Sequence, residues 1–578
     1  MWIYQLVKMR REWHFEQEPI KAMKIFSLPI KIVNLVRRLI AQLPPNNIAA
    51  SIHNFLLDEY PRKNNNETKT SAPLVAVEGV EDPLYYGLFA ILSAELSKVS
   101  GSQSSLLLTR SINASIGTSP IARLERSQFI GWLTASQWWR ANKPFINGIG
   151  YRSQSYDHPI GDLVDGLRSL FLWGKLQFQN NKNISSVKIK DLPVGDLIID
   201  SYLRFRPAPS FCISDWFVLK ILWQAHRDIR RARRYFNKRR PALYLTTYAT
   251  YLEHGIAARA AVQAGVKVLS FGNFTRFGKE LTTEHWFHTP DTRKYKEQFE
   301  NISNNYSCLA QAEQLLEFRL AGGIDSATSY MKTSAYSGNE SANHDVHGAV
   351  IVFLHDFYDS PHVYDNLIFE DFWSWICFTV EILSSSGVLF YVKPHPNQIS
   401  LSDEAFASLC KKYPDLKILP SGTSNLQLAK AGIKCGISAY GTVIHELAYL
   451  GIPTIACASH PHIAFDFCRT AKTIDEYRSF LLEPGVSPIS QEEMRKQALA
   501  FVYMHNLHHN GHDLALRKQF LELWKSAHSE INPASELINQ FNKLKNLPEF
   551  KLFINDLAYQ ITNNGKSKCS NHQQLKLS

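Results

Sequence analysis

Cysteine is sparse in this 578-residue chain. Its eight cysteines, from Cys212 to Cys569, are widely separated and never form a Cys-x-x-Cys pair, which excludes a disulfide framework and suggests no cysteine zinc site. Long apolar runs are missing too. None approaches the roughly 18 uninterrupted residues of a spanning helix, and the N-terminus lacks a signal peptide's apolar core and cleavage site. The expectation is a soluble-type chain kept in the reducing cytoplasm. Acidic residues are in deficit, 52 against 63 Lys and Arg, for a net charge of +11. That favours anionic partners without naming them; no nucleic-acid partner is expected. With 45% hydrophobic and 12% aromatic content, the chain can bury more than one core, and two domains plus extensions are expected.

The most informative stretch present is VLFYVKPHPNQ, residues 388–398. Val388–Val392 reads as a strand that Pro394 must end. Lys393 and His395 therefore stand at its carboxyl end, where open α/β sheets bind ligands, and a proline on each side of His395 restricts how its ring is aimed. A plain surface turn holding a His fits the same residues. Some forty residues on comes GISAYGTVIHELAYLGIPTIA, residues 436–456. Ile433–Ile437 reads as a strand, Ser438–Gly441 as a turn, Thr442–Leu450 as a helix ended by Gly451 and Pro453, and Thr454–Cys457 as the next strand. Ser438, Gly441 and Thr442 sit where unpaired backbone N–H groups suit a diphosphate. Glu446, one turn inside, could reach a ribose hydroxyl or serve as a cap or surface residue. An ordinary βαβ unit with a Ser cap remains the plainer alternative.

The pair KPHP and SAYGTVIHELAYLGIP resembles the capsule and surface polysaccharide glycosyltransferases of GT-B architecture, a group that includes bacterial Kdo transferases and, more distantly, polysialyltransferases. VFLHDFYDSPHVYDN at 352–366, the following DFWSWICFTVEIL and GDLIIDSYLRF at 195–205 look similar as well. The resemblance spans residues 73 to about 515 and is strongest from 349 to 480. It implies an α/β fold of two Rossmann-like domains and transfer of a sugar from a nucleotide-activated donor, CMP-linked sugars among the candidates, to a glycan or lipid-linked acceptor. His395 and Pro396 would hold the donor phosphates, with Ser438 and Thr442 from the second turn. Inversion at the anomeric carbon is the family expectation; position 454, where many retaining relatives carry a second Glu, is Thr. One departure concerns the base. The acidic motif ending in glycine of related sialyl enzymes is matched only loosely, by Glu253-His254-Gly255.

The remaining readings place these motifs. Residues 1–72 form an appendage, with an amphipathic basic helix over Pro29–Leu43 suited to packing on the protein or lying on an anionic membrane, then a polar linker at 61–73. An acceptor domain over 73–320 carries the candidate catalytic residues Glu253, His254 and Asp196, with Asp200 a rival. The basic run Arg227–Arg240 is a solvated helix face or an anion-binding surface. A hinge at 321–347 precedes the nucleotide-sugar domain at 348–530, where His355, Asp356 and Asp359 follow the strand Ala349–Leu354 and would line the cleft. A C-terminal helix and disordered tail occupy 531–578. His355, His362 and their acidic neighbours match no metal-ligand spacing; in the cluster His505, His508, His509 and His512, His505 and His509 are one helical turn apart, a spacing that can chelate, but no carboxylate stands at the expected place and no cysteine partners them, so neither metal nor cofactor is expected. Three alternatives stay open: a glycerophosphate or polyol-phosphate transferase, a nucleotide-sugar epimerase of the same fold, or a non-catalytic membrane-associated scaffold.

Overall fold

A computed structural model describes residues 47–60, 72–79, 82–108, 159–178, 184–206, 208–323, 345–396, 398, 400–509, 513–529 and 531–574. The helix expected over Pro29–Leu43, nearly all of the 61–73 linker and the centre of the 321–347 hinge lie outside them. Two compact units result, one of residues 1–155 with 522–578 and one of residues 156–521. Among the described residues no helix is long and apolar enough to cross a membrane.

In the first unit, β1 (Leu74–Gly79) and β2 (Gln103–Leu108) pair in parallel, joined by the helix Pro83–Ser100. Local sequence fixes that helix. Asp82 accepts from the Leu84 N–H, Pro83 takes the first helical position, and Gly101 closes the end in the left-handed region. Helices Asn47–Glu59, Pro533–Asn546 and Pro548–Gln574 complete the unit, with Phe55 stacked on Phe541 at 6.5 Å. The last of these covers most of the segment expected as a tail.

The second unit opens with the helix Pro159–Phe178, followed by the ribbon β3 (Lys188–Ile189) and β4 (Leu192–Pro193). Then β5 (Leu243–Thr246) and β6 (Lys267–Ser270) pair in parallel across the helix Tyr251–Gln263, and β7 (Lys279–Leu281) adds antiparallel to β6. The basic run lies on the helix Trp216–Arg239. It is only partly a solvated face: Arg227 is fully buried, and Arg230 pairs with Asp162 and Asp165 of the helix Pro159–Phe178.

The same unit holds a second, all-parallel sheet of β8 (Val350–Phe353), β9 (Phe390–Lys393), β10 (Cys435–Ile437), β11 (Thr454–Ala456) and β12 (Arg469–Thr470), in the order β12-β11-β10-β8-β9. Ile418 bridges in parallel to Val392 on the outer side of β9. Counting that bridge as an edge strand gives the doubly wound order 3-2-1-4-5-6 of Rossmann sheets. The alternation along β8 shows why the sheet is covered on both faces. Val350 and Val352 join a core with Trp375, Val380 and Leu383 of the helix Phe372–Ser386, while Ile351 and Phe353 join another with Leu447, Ala448 and Phe501, as the period of two requires. That second core also takes Tyr295, Phe299, Leu316 and Leu320 from the helices Tyr295–Glu300 and Asn305–Leu320, which precede the hinge. The chain is thus α/β, with parallel strands alternating with helices, as expected.

Candidate functional site

The carboxyl ends of β9, β8 and β10 lie side by side, since Phe353 is opposite Lys393 and Val352 is opposite Ile437. The winding direction reverses between β8 and β10, which is where open α/β sheets leave a crevice. Three sequence motifs meet at this edge: His355 after β8, Lys393 to Pro396 at the end of β9, and Ser438 to Thr442 after β10.

His355 organises the crevice. Its ring stacks on Phe372 at 4.5 Å and 7° and meets Tyr440 at 4.7 Å. Its Nε2 lies 3.0 Å from Ser438 Oγ and accepts from the Tyr440 N–H at 3.4 Å. A backbone N–H only donates, so Nε2 is the acceptor nitrogen, and the Ser438 hydroxyl donates to it while accepting from the Gly441 N–H at 3.1 Å. Burial, reinforced by His395, holds the His355 pKa down to about 3, so the ring is neutral. A Cβ at Gly441 would stand 2.7 Å from Ser438 Oγ, so the Ser438 hydroxyl would have to shift.

Lys393 is 2% exposed. Among the described residues it meets no carboxylate within ion-pair distance, and burial lowers its pKa to about 8 against an opposing influence from Glu446. His395 is held down to about 4 by burial and then by Lys393. The crevice therefore contains a desolvated ammonium beside two neutral imidazoles. A desolvated ammonium in such a setting can accommodate an anion.

Thr442 and Glu446 face a partner that sequence reasoning missed. Arg319, from the helix Asn305–Leu320, donates to Thr442 Oγ1 at 3.2 Å and pairs with Glu446 at 2.8 Å. Both Arg319 and Glu446 are buried, so one carboxylate oxygen of Glu446 is committed to this pair. Asp356 accepts from the Tyr358 N–H at 3.0 Å and from Ser402 Oγ at 2.6 Å, shaping the turn, whereas Asp359 is exposed and accepts from the Ser360 N–H.

No family model and no curated protein matches the chain. Solved structures similar to it include the UDP-GlcNAc 2-epimerase of Methanocaldococcus jannaschii, at 11% identity and a TM-score of 0.24 over 74% of this chain and 96% of that one. The β-Kdo 2,4-transferase KpsC of Thermosulfurimonas dismutans has 11% identity and a TM-score of 0.27, over 45% and 79% of the two chains. Anabaena HepE, solved with UDP and glucose, has 10% identity and a TM-score of 0.25, over 78% and 100%. Likenesses this faint carry no argument, and the chemistry must be read from the residues.

The candidate bases are scattered. Glu253 and His254 lie in the first turn of Tyr251–Gln263 rather than in a loop before it, and His254 Nδ1 sits 3.3 Å from Thr247 Oγ1. Asp196 is held by Arg259 through both oxygens, with a pKa lowered because Arg259 outweighs burial. Its rival Asp200 makes a different contact: its Oδ1 lies 2.7 Å from His362 Nδ1, and both residues are buried. Burial raises the Asp200 carboxyl to about 6. Burial also disfavours charge on His362, but Asp200 more than offsets it and raises the ring's pKa. His362 Nε2 is buried with no hydrogen-bond partner among the described residues. The dyad adjoins the crevice through Tyr440, whose hydroxyl donates to the Ser360 carbonyl at 3.1 Å. The other histidine cluster is otherwise engaged. His509 is met by Arg276, Arg517 and Asp513, and His512 lies outside the described residues.

Proposed function

We propose that the protein is a GT-B glycosyltransferase of bacterial surface polysaccharide synthesis, moving a sugar from a nucleotide-activated donor to a glycan or lipid-linked acceptor. The observation that supports this most is the buried Lys393 ammonium, without a carboxylate partner among the described residues, at the switch point framed by His355 and Ser438. Lys393 would neutralise charge on the departing phosphate, and the neutral His395 and the backbone N–H groups of the Ser438–Thr442 turn would hydrogen-bond its oxygens. No metal is required for that task. The proposed transfer is a single inverting displacement: the acceptor oxygen bonds to the anomeric carbon, the bond from that carbon to phosphate oxygen breaks, and the hydroxyl proton passes to a base. We assign the base to His362, oriented by Asp200, ahead of Glu253, His254 and Asp196, because its Nε2 has no other partner. The acceptor would be met on the cytoplasmic face of the plasma membrane, to which the net positive charge gives some attraction.

A thermal-shift panel of CMP, CDP, UDP and GDP tests the donor site, followed by turnover with the matching nucleotide sugars. At least one nucleotide should stabilise the protein, and His395→Ala should weaken that effect while folding normally. Full donor binding and turnover in His395→Ala would remove the phosphate assignment. Product formed from donor alone would identify an epimerase instead.

A further inference from the structure

The segment from Cys457 to Cys468 connects β11 to β12 and carries the sequence His460-Pro461-His462, followed six residues later by Cys468. All three side chains are buried: His460 and His462 are each 1% exposed and Cys468 is 8%. One ligand atom from each lies within 4.8 Å of the other two. The imidazoles stack at 3.6 Å between centroids, and much of their hydrogen-bonding capacity is unused. Among the described residues neither ring nitrogen of His462 has a partner, nor has Nδ1 of His460. Leaving buried polar groups so costs about 1–3 kcal/mol each, and groups left this way in a native fold are met by an ordered water or a bound ion.

We propose that His460, His462 and Cys468 form a Zn²⁺ site that pins the β11–β12 connection. Thr470 Oγ1 lies 2.6 Å from His460 Nε2 and 3.9 Å from Cys468 Sγ, which leaves His460 Nδ1, without a partner among the described residues, available to ligate. Thr470 acts as the outer group that orients a ligating imidazole. Zinc binding would break the S–H bond of Cys468, form the Zn–S bond and release one proton to solvent. Ligand distances of about 2.0–2.3 Å to zinc require the three atoms to draw in by roughly an ångström. Two imidazoles and a thiolate suit Zn²⁺ and exclude Mg²⁺ or Ca²⁺, which take oxygen ligands. His445, also buried with both ring nitrogens unpartnered and 6.4 Å from His462 between centroids, is a further donor of the same kind. The site takes no part in the proposed sugar transfer; it is structural.

The test is metal analysis of the full-length protein made without a histidine tag. About one zinc per chain is expected, falling at least about tenfold in His462→Ala and Cys468→Ser and about tenfold in affinity in Thr470→Val. Should those variants fail to fold, the wild-type protein carries the test alone. After removal of metal with dipicolinate, added Zn²⁺ should raise the melting temperature, Mg²⁺ should not, and Co²⁺ should give a thiolate charge-transfer band. Sub-stoichiometric zinc together with no thermal response to Zn²⁺ overturns the proposal, as does stoichiometric zinc retained by folded His462→Ala. Equal loading by copper with no preference for zinc overturns the choice of ion.

Discussion

Lys393→Met should make the protein more stable and at the same time blind to its nucleotide. The buried ammonium has its pKa lowered from 10.5 to about 8, and at about 1.4 kcal/mol per pH unit this amounts to roughly 3 kcal/mol held against the charged form in the fold. Because the folded pKa lies below the unfolded one, that cost is fully present below pH 8. Between about 8 and 10.5 the unfolded chain holds a proton that the folded chain has released, so wild-type stability rises with pH across that window. The gain from Lys393→Met, up to roughly 3 kcal/mol in urea unfolding at pH 7, should therefore shrink toward zero near pH 10.5. Nucleotide binding supplies the second reading. A bound phosphate restores the ammonium, so affinity of the wild type should fall by up to about tenfold per pH unit above 8. His355 and His395 stay neutral throughout, with pKa values of about 3 and 4, and cannot imitate that slope. Calorimetric titration of the stabilising nucleotide from pH 7 to 9.5 measures it. A flat affinity, or a Lys393→Met protein that is less stable than wild type at pH 7 and still binds nucleotide, would refute the reasoning.

Three further outcomes are expected. Gly441→Ala brings a Cβ to 2.7 Å from Ser438 Oγ and should cost about 1–3 kcal/mol of nucleotide affinity, read by titration calorimetry. Arg319→Met strands the Glu446 carboxylate and should destabilise by about 3–5 kcal/mol in urea unfolding, with Arg319→Met combined with Glu446→Gln recovering much of the loss. His362→Ala and Asp200→Asn should each lower turnover by about 10²–10⁴ while leaving nucleotide affinity within about twofold; an unchanged rate returns the base assignment to Glu253 or His254.

The elements that the sequence made legible are those punctuated by proline and glycine. Pro394 ends β9 one residue after Lys393, Gly387 precedes the strand in the left-handed region at φ 71°, and Gly451 and Pro453 close the helix Val443–Tyr449. Each acts on its own neighbours, so local pattern suffices. The partners of these elements were hidden because they come from distant sequence. Nothing near Glu446 announces Arg319, and Asp200 meets His362 only through tertiary packing. The start of Tyr251–Gln263 is not legible in the sequence for another reason: Tyr251 takes a φ of 58°, a conformation that side-chain preferences argue against. The Leu252 N–H that follows is satisfied by Ser201 Oγ, from another helix. His460 and Cys468 were overlooked because they are paired by folding and not by a recognisable ligand spacing.

The helices Tyr295–Glu300 and Asn305–Leu320 change where this protein can be cut. They lie ahead of the expected hinge, yet their apolar side chains belong to the core of the second parallel sheet, and Arg319 is the counter-ion of Glu446. A fragment beginning at residue 348 would leave one face of that sheet bare and remove the guanidinium that pairs with the buried Glu446 carboxylate. Chimeras that exchange this sheet with that of another α/β protein should therefore join ahead of Tyr295, so that these two helices travel with the strands they cover.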